Sequence, residues 1–126
     1  MPATVKDMLA AAQAAVPAIS PADAAKLMQA GGVLVLDVRD GTEVQASGKA
    51  KGALHVSRGL LEFKADPESP MYDPALQREK TIILYCASGG RSALAGKTLK
   101  DLGYPSVFNA GGFKDLAEAG IATEPA

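Results

Sequence analysis

At 126 residues the chain suits one compact domain, able to bury roughly two thirds of the surface its unfolded form exposes. Apolar residues make up 48%, charged residues 21%, and the formal net charge is −1, which argues against disorder and against a basic nucleic-acid-binding face. One cysteine and one histidine give no internal disulfide and no zinc site by themselves, and no run reaches the ~20 apolar residues needed to span a bilayer.

The opening stretch, MPATVKDMLAAAQAAV, is apolar enough to raise a secretion signal, but Asp7 and Gln13 interrupt it and Lys6 is its one early cation. The expectation is a cytoplasmic protein. Thr4 followed by Asp7 reads as a capping pair for an accessory helix within residues 1–17, stopped before Pro17. Ser20 as N-cap, Pro21 at the first helical position and Asp23 in the first turn predict a helix over 21–30, ended by Gly31-Gly32.

VLVLDV, residues 33–38, is the pattern of a strand covered on both faces, and TIILY, residues 81–85, is a second. Between them the sequence predicts a short helix near 41–46, a strand at 53–56, and a polar surface loop over 65–80 that contains three prolines. The stripe Ala95, Leu99 and Leu102 predicts a helix from 92 to 102, ended by Gly103 and Pro105. A last strand at 106–109, a turn at Gly111-Gly112 and a helix over 113–119 follow. Alternating strands and helices imply an α/β domain with a mainly parallel sheet and right-handed crossovers.

The chemistry concentrates in TIILYCASGGRS. A buried strand ends in Cys86, and ligands of open α/β sheets sit beyond the carboxyl ends of strands, where helix N-termini direct unpaired N–H groups. Ala87, Ser88, Gly89 and Gly90 are small enough for the loop to curl with its amides inward, which makes an anion cradle. Those amides, the helix that follows and Arg91 should hold the Cys86 thiol below its usual ~8.5, giving a nucleophile without a general base. A lone cysteine is commonly an inert small hydrophobe, but its place between a core strand and Ser-Gly-Gly-Arg favours a functional one. Arg91 reads both as a support of the loop and as a donor to a bound anion. The sole histidine, His55, lies in a predicted strand and reads as structural.

CASGGRS resembles the Cys-x-x-Gly-x-Arg-Ser active-site loop of the rhodanese family, with Cys86, Gly89, Arg91 and Ser92 in register. Asp37-Val38-Arg39 with Glu43, Gly52-Ala53-Leu54-His55-Val56 and Phe108-Asn109-Ala110-Gly111-Gly112-Phe113 resemble three further family motifs, and the likeness covers about residues 18–122. Residues 48–51, Gly-Lys-Ala-Lys, depart from the family's Gly-His-Ile-Pro, and the tryptophan common after the Gly-Gly is absent, with Leu116 as its replacement. The resemblance implies a rhodanese-like domain over 18–126, with a five-stranded mainly parallel sheet flanked by helices on both faces. It also implies transfer of sulfane sulfur from thiosulfate or a similar donor to cyanide or a thiol through a Cys86 persulfide. Ala87, Ser88, Gly89, Gly90, Arg91 and Ser92 would bind the substrate, Arg58 would sit at the rim, and no cofactor or metal is needed. Asp37 and Arg39 would support the sheet edge rather than react.

Two other readings stay open. A cysteine phosphatase or arsenate reductase uses a related fold and a similar Cys-to-Arg loop, but one residue longer than the six positions from Cys86 to Arg91. A non-turnover carrier that passes persulfide sulfur to a protein acceptor fits the same residues.

Overall fold

The computed structural model describes residues 2–126. Helix α1 (Val5–Ala15) starts on a reciprocal capping box, in which the Asp7 amide donates to Thr4 Oγ1 and the Thr4 amide to Asp7 Oδ2, both at 3.1 Å. Helix α2 (Pro21–Ala30) starts on Ser20, whose Oγ accepts from the Asp23 amide at 3.1 Å. Both fall where the sequence puts them. Strand β1 (Val33–Asp37), helix α3 (Gly41–Ser47), strands β2 (Lys49–Ala50) and β3 (Leu54–His55), and helix α4 (Leu61–Ala65) follow. Strand β4 (Thr81–Cys86), helix α5 (Gly90–Asp101), strand β5 (Val107–Gly112), helix α6 (Phe113–Glu118) and strand β6 (Thr123–Glu124) complete the chain.

The main sheet has the order β3-β1-β4-β5 with every pairing parallel, so β4 lies inside it with neighbours on both sides. It holds four strands, not the expected five. The fifth place, beside β5, is taken by a single parallel bridge from Ala18 to Asn109, flanked by hydrogen bonds from Asn109 N to Pro17 O and from Ile19 N to Asn109 O. Pro17 has no N–H to continue a ladder, which keeps this segment from becoming a strand.

Side chains alternate across β4 with the period of two that a strand imposes. Ile82, Leu84 and Cys86 point into a core built with Val16, Leu61, Leu76, Ala95, Leu99 and Tyr104, while Ile83 and Tyr85 point into a second core with Ala24, Ala110 and Leu116. Helices therefore cover both faces. Cys86 belongs to the face on which α5 packs. Helix α1 packs on α5 in turn, with Val16 seated over Gly96, where a Cβ would come within 3.0 Å of its methyl groups.

Three further differences from the expected elements have physical causes. The 65–80 segment is not wholly a surface loop: Leu76 is fully buried, because the Tyr104 hydroxyl reaches the carbonyl oxygens of Ala65 at 2.7 Å and Leu76 at 2.9 Å and draws the segment onto the core. Strands β2 and β6 form a separate antiparallel pair, too short to leave a periodic trace in the sequence. Strand β5 continues through Gly111-Gly112 in place of the expected turn, and Gly112 pairs with Cys86.

Candidate functional site

Strand β4 ends in Cys86, and after three residues the chain enters α5 through Gly89, whose φ of 102° lies in the left-handed region that favours glycine. Helix α5 thus begins at Gly90, two residues before the expected Ser92, and the loop is tighter than the sequence suggests. The Gly89 amide donates to Cys86 Sγ at 3.0 Å, and the Ser92 hydroxyl lies 3.4 Å from the same sulfur. Cys86 is 1% exposed and Ser92 fully buried, whereas the Ala87 and Ser88 side chains face solvent.

Strand β5 braces this loop. A Cβ on Gly112 would overlap the Ala87 carbonyl oxygen, and one on Gly89 would lie 3.4 Å from the Gly111 Cα, so loop and strand meet backbone to backbone. Asn109 adds three side-chain hydrogen bonds: Nδ2 donates to Gly89 O at 3.1 Å, while Oδ1 accepts from the Gly111 amide at 3.0 Å and lies 2.7 Å from Ser92 Oγ. Sequence reasoning placed Asn109 within a motif but assigned it no part in the site.

Burial pushes the Cys86 thiol up, yet the Ser92 hydroxyl and the amides of Ser92, Ser88 and Gly89 outweigh it, so the thiol lies below its ordinary range. The cause is a cradle of dipoles around the sulfur, and Arg91 is engaged elsewhere as a structural link. Its guanidinium pairs with the Glu43 carboxylate through two bonds, Nη1 to Oε1 at 2.6 Å and Nη2 to Oε2 at 3.0 Å, which ties the start of α5 to the start of α3. The Arg91 pairing, with opposition from partial burial and help from the Asp40 amide, lowers the Glu43 carboxyl to about 2. A depressed carboxyl adds stability that is present above its unfolded value of 4.5 and is lost as pH falls through 2. With the pair about one third exposed, screening holds its worth to about 1 kcal/mol. Glu43→Gln should accordingly lose about that much stability at pH 7 and little at pH 2, as read by denaturant unfolding at both values; equal loss at both would show that the charge plays no part.

Arg58 does not join the loop. It sits on a single helical turn that runs into α4, and its guanidinium bonds Glu62 Oε1 and Thr98 Oγ1, each at 3.0 Å. Thr98 is eight residues past Gly90, about 12 Å along the helix, so the Arg58 guanidinium is engaged partway down α5. His55 Nε2 lies 2.6 Å from the Arg39 carbonyl oxygen, which ties β3 to the end of β1. The Asp37 carboxylate pairs with Arg39, and Arg39 also donates to Ser47 Oγ and Gly48 O, so the pair braces the carboxyl end of β1 against the chain that follows α3. Among the described residues no group of three or more His, Cys, Asp or Glu is placed to hold a metal, and no helix is long and apolar enough to cross a membrane.

The family model for the rhodanese-like domain matches residues 20–119. The thiosulfate sulfurtransferase PspE of Escherichia coli (strain K12) is 42% identical over 82 residues, 65% of this chain and 72% of that one. Among solved structures, a protein of unknown function from Rhodopseudomonas palustris CGA009, described as a possible tyrosine phosphatase, has a TM-score of 0.88 at 40% identity, covering 98% of this chain and 99% of that chain. The polysulfide-sulfur transferase homodimer of Wolinella succinogenes has a TM-score of 0.73 at 35% identity, covering 96% and 87%. With the matched segment running from α2 through α6, the chain belongs to the rhodanese-like sulfurtransferase family.

Proposed function

We propose that the protein moves sulfane sulfur through a persulfide on Cys86. The observation that carries this reading is the sulfur atom itself, set 3.0 Å from the Gly89 amide and 3.4 Å from the Ser92 hydroxyl at the end of a buried strand. Those donors stabilise a thiolate on Sγ, and the inward amides of the same loop would serve the negative terminal sulfur of a persulfide, one bond further out. The Cys86 thiolate attacks the outer sulfur of thiosulfate, a new S–S bond forms, the old one breaks, and sulfite leaves with the bonding pair. Cyanide or a thiolate then attacks the outer sulfur of the persulfide and returns Cys86 as a thiolate. No cofactor or metal enters this exchange.

The donor is thiosulfate, as named for the Escherichia coli relative, or a polysulfide chain, as named for the Wolinella succinogenes neighbour. Positions 87–90, Ala-Ser-Gly-Gly, carry no cation, so the charge of the loop does not select between these two dianionic donors. The acceptor is cyanide or a small thiol in the assay, and a protein thiol fits the same chemistry.

Intact-mass measurement tests the proposal. Thiosulfate or polysulfide should add one sulfur atom to the protein, and cyanide should remove it; no mass gain with either donor would sink the reading.

A phosphatase reading draws on the description of the Rhodopseudomonas palustris neighbour. Against it stand the six positions from Cys86 to Arg91, a ring sized for one sulfur atom, and the engagement of Arg91 by Glu43, which sets a carboxylate where phosphate oxygens would need donors. Aryl phosphates should therefore be hydrolysed negligibly. Ready phosphate release without persulfide formation would favour the phosphatase.

A further inference from the structure

The Ser92 hydroxyl is hydrogen-bonded in two directions but has one hydrogen. Its oxygen lies 2.7 Å from Asn109 Oδ1 and 3.4 Å from Cys86 Sγ, and neither a carboxamide oxygen nor a thiolate can supply a proton of its own. The two bonds cannot both be made at full strength, and the shorter one holds the hydrogen while the sulfur is neutral.

Asn109 is fixed so that this oxygen is the one facing Ser92. Its Nδ2 needs an acceptor and has the Gly89 carbonyl at 3.1 Å, which sets the direction of the amide. Its Oδ1 also accepts from the Gly111 amide at 3.0 Å, so it keeps a partner when the Ser92 hydrogen leaves. Moving that hydrogen therefore strands no buried group.

We propose that Asn109 is a positioning residue that holds the Ser92 hydroxyl hydrogen while Cys86 is neutral and releases it to the sulfur when the sulfur becomes a thiolate. The purpose rests on the sulfurtransferase reading; the geometry does not. Arg91 from α5, already paired with Glu43 of α3, is the charge that acts on this sulfur; Asp40 acts on Arg91, and the Asp37–Arg39 pair lies with Tyr85 and Phe113 on the opposite face of the sheet. Strand β5, which supplies Asn109, has no charged residue.

The test is the pH midpoint for alkylation of Cys86 by a small reagent in a four-protein cycle: wild type, Ser92→Ala, Asn109→Leu and the double variant. Ser92→Ala should raise the midpoint by about one unit, since one hydrogen bond to the anion is lost. Asn109→Leu should lower it by about half a unit, because the hydroxyl is left with the sulfur as its nearest acceptor. In the Ser92→Ala background the same change should do nothing. An equal shift in both backgrounds, zero included, or a rise with Asn109→Leu, overturns the proposal and leaves Asn109 as a brace of the loop alone. Should the leucine variant misfold, Asn109→Asp has the same size and reads the same cycle: its carboxylate grips the hydroxyl harder, so the midpoint should rise more with Ser92 present than without it, and equal rises overturn the proposal. These midpoints need no sulfur donor. Failure of thiosulfate and polysulfide to load the wild type therefore strikes the sulfurtransferase reading, whereas a failed cycle strikes only Asn109.

Discussion

Cys86→Ser should abolish sulfur loading, with a loss of at least roughly 10⁴-fold in the rate of persulfide formation. The chain has no second cysteine to take over, and a serine hydroxyl is not ionised at neutral pH, so the donors that favour a thiolate have no anion to stabilise. The fold should survive, because the serine oxygen can accept from the Gly89 amide and share a hydrogen with Ser92 much as the sulfur does. The check pairs intact mass after exposure to thiosulfate with circular dichroism. A variant with an unchanged spectrum that still gained one sulfur atom would remove Cys86 from the mechanism.

The largest stability effect should come from the carboxyl end of β1, beside Tyr85 of β4. Arg39 and Asp37 are both buried and joined by several hydrogen bonds, Nη2 to Oδ2 at 2.7 Å being the shortest. Burial works against the Arg39 charge, but the Asp37 carboxylate more than offsets it and holds the guanidinium firmly protonated. The guanidinium also lies 4.4 Å from the centre of the Phe113 ring and binds the Gly48 carbonyl. Arg39→Ala leaves a buried carboxylate without its partner, a change worth about 3–5 kcal/mol of stability. For a chain of this length that lowers Tm by roughly 10–20 °C, which a thermal unfolding scan would read directly. The double variant Asp37→Ala with Arg39→Ala should recover part of the loss, since no charge is then stranded. A fall of under about 1 kcal/mol in the single variant, or a double variant that loses the full sum, would show that the pair is not the keystone of this edge.

How much of this was legible depended on how local the cause was. The apolar runs at 33–38 and 81–85 and the Ser20-Pro21-Asp23 cap each act within a few positions, and each fell where expected. The site's cross-links did not, because they join distant residues: Arg91 to Glu43 across 48 positions, and Asn109 to Gly89 across 20. A single asparagine inside a strand carries no mark of such a bond. The bond from Arg58 to Thr98, across 40 positions, was hidden for a similar reason, since the helical turn that aims the side chain is set by how residues 58–65 pack on α5 rather than by any signal in Ser57-Arg58-Gly59. Likewise nothing in a proline-rich stretch announces that Leu76 will be buried by a tyrosine 28 positions on.

The loop after Cys86 is shaped almost entirely by main chain. Amide groups face the sulfur, β5 backbone braces the outside, and the side chains at 87 and 88 are left pointing at solvent with no structural task. Reactivity and selectivity are thereby uncoupled. Substitutions at these two positions can recolour the loop's outer surface with positive, negative or apolar groups, while the buried donors that hold the thiol below its ordinary range stay unaltered.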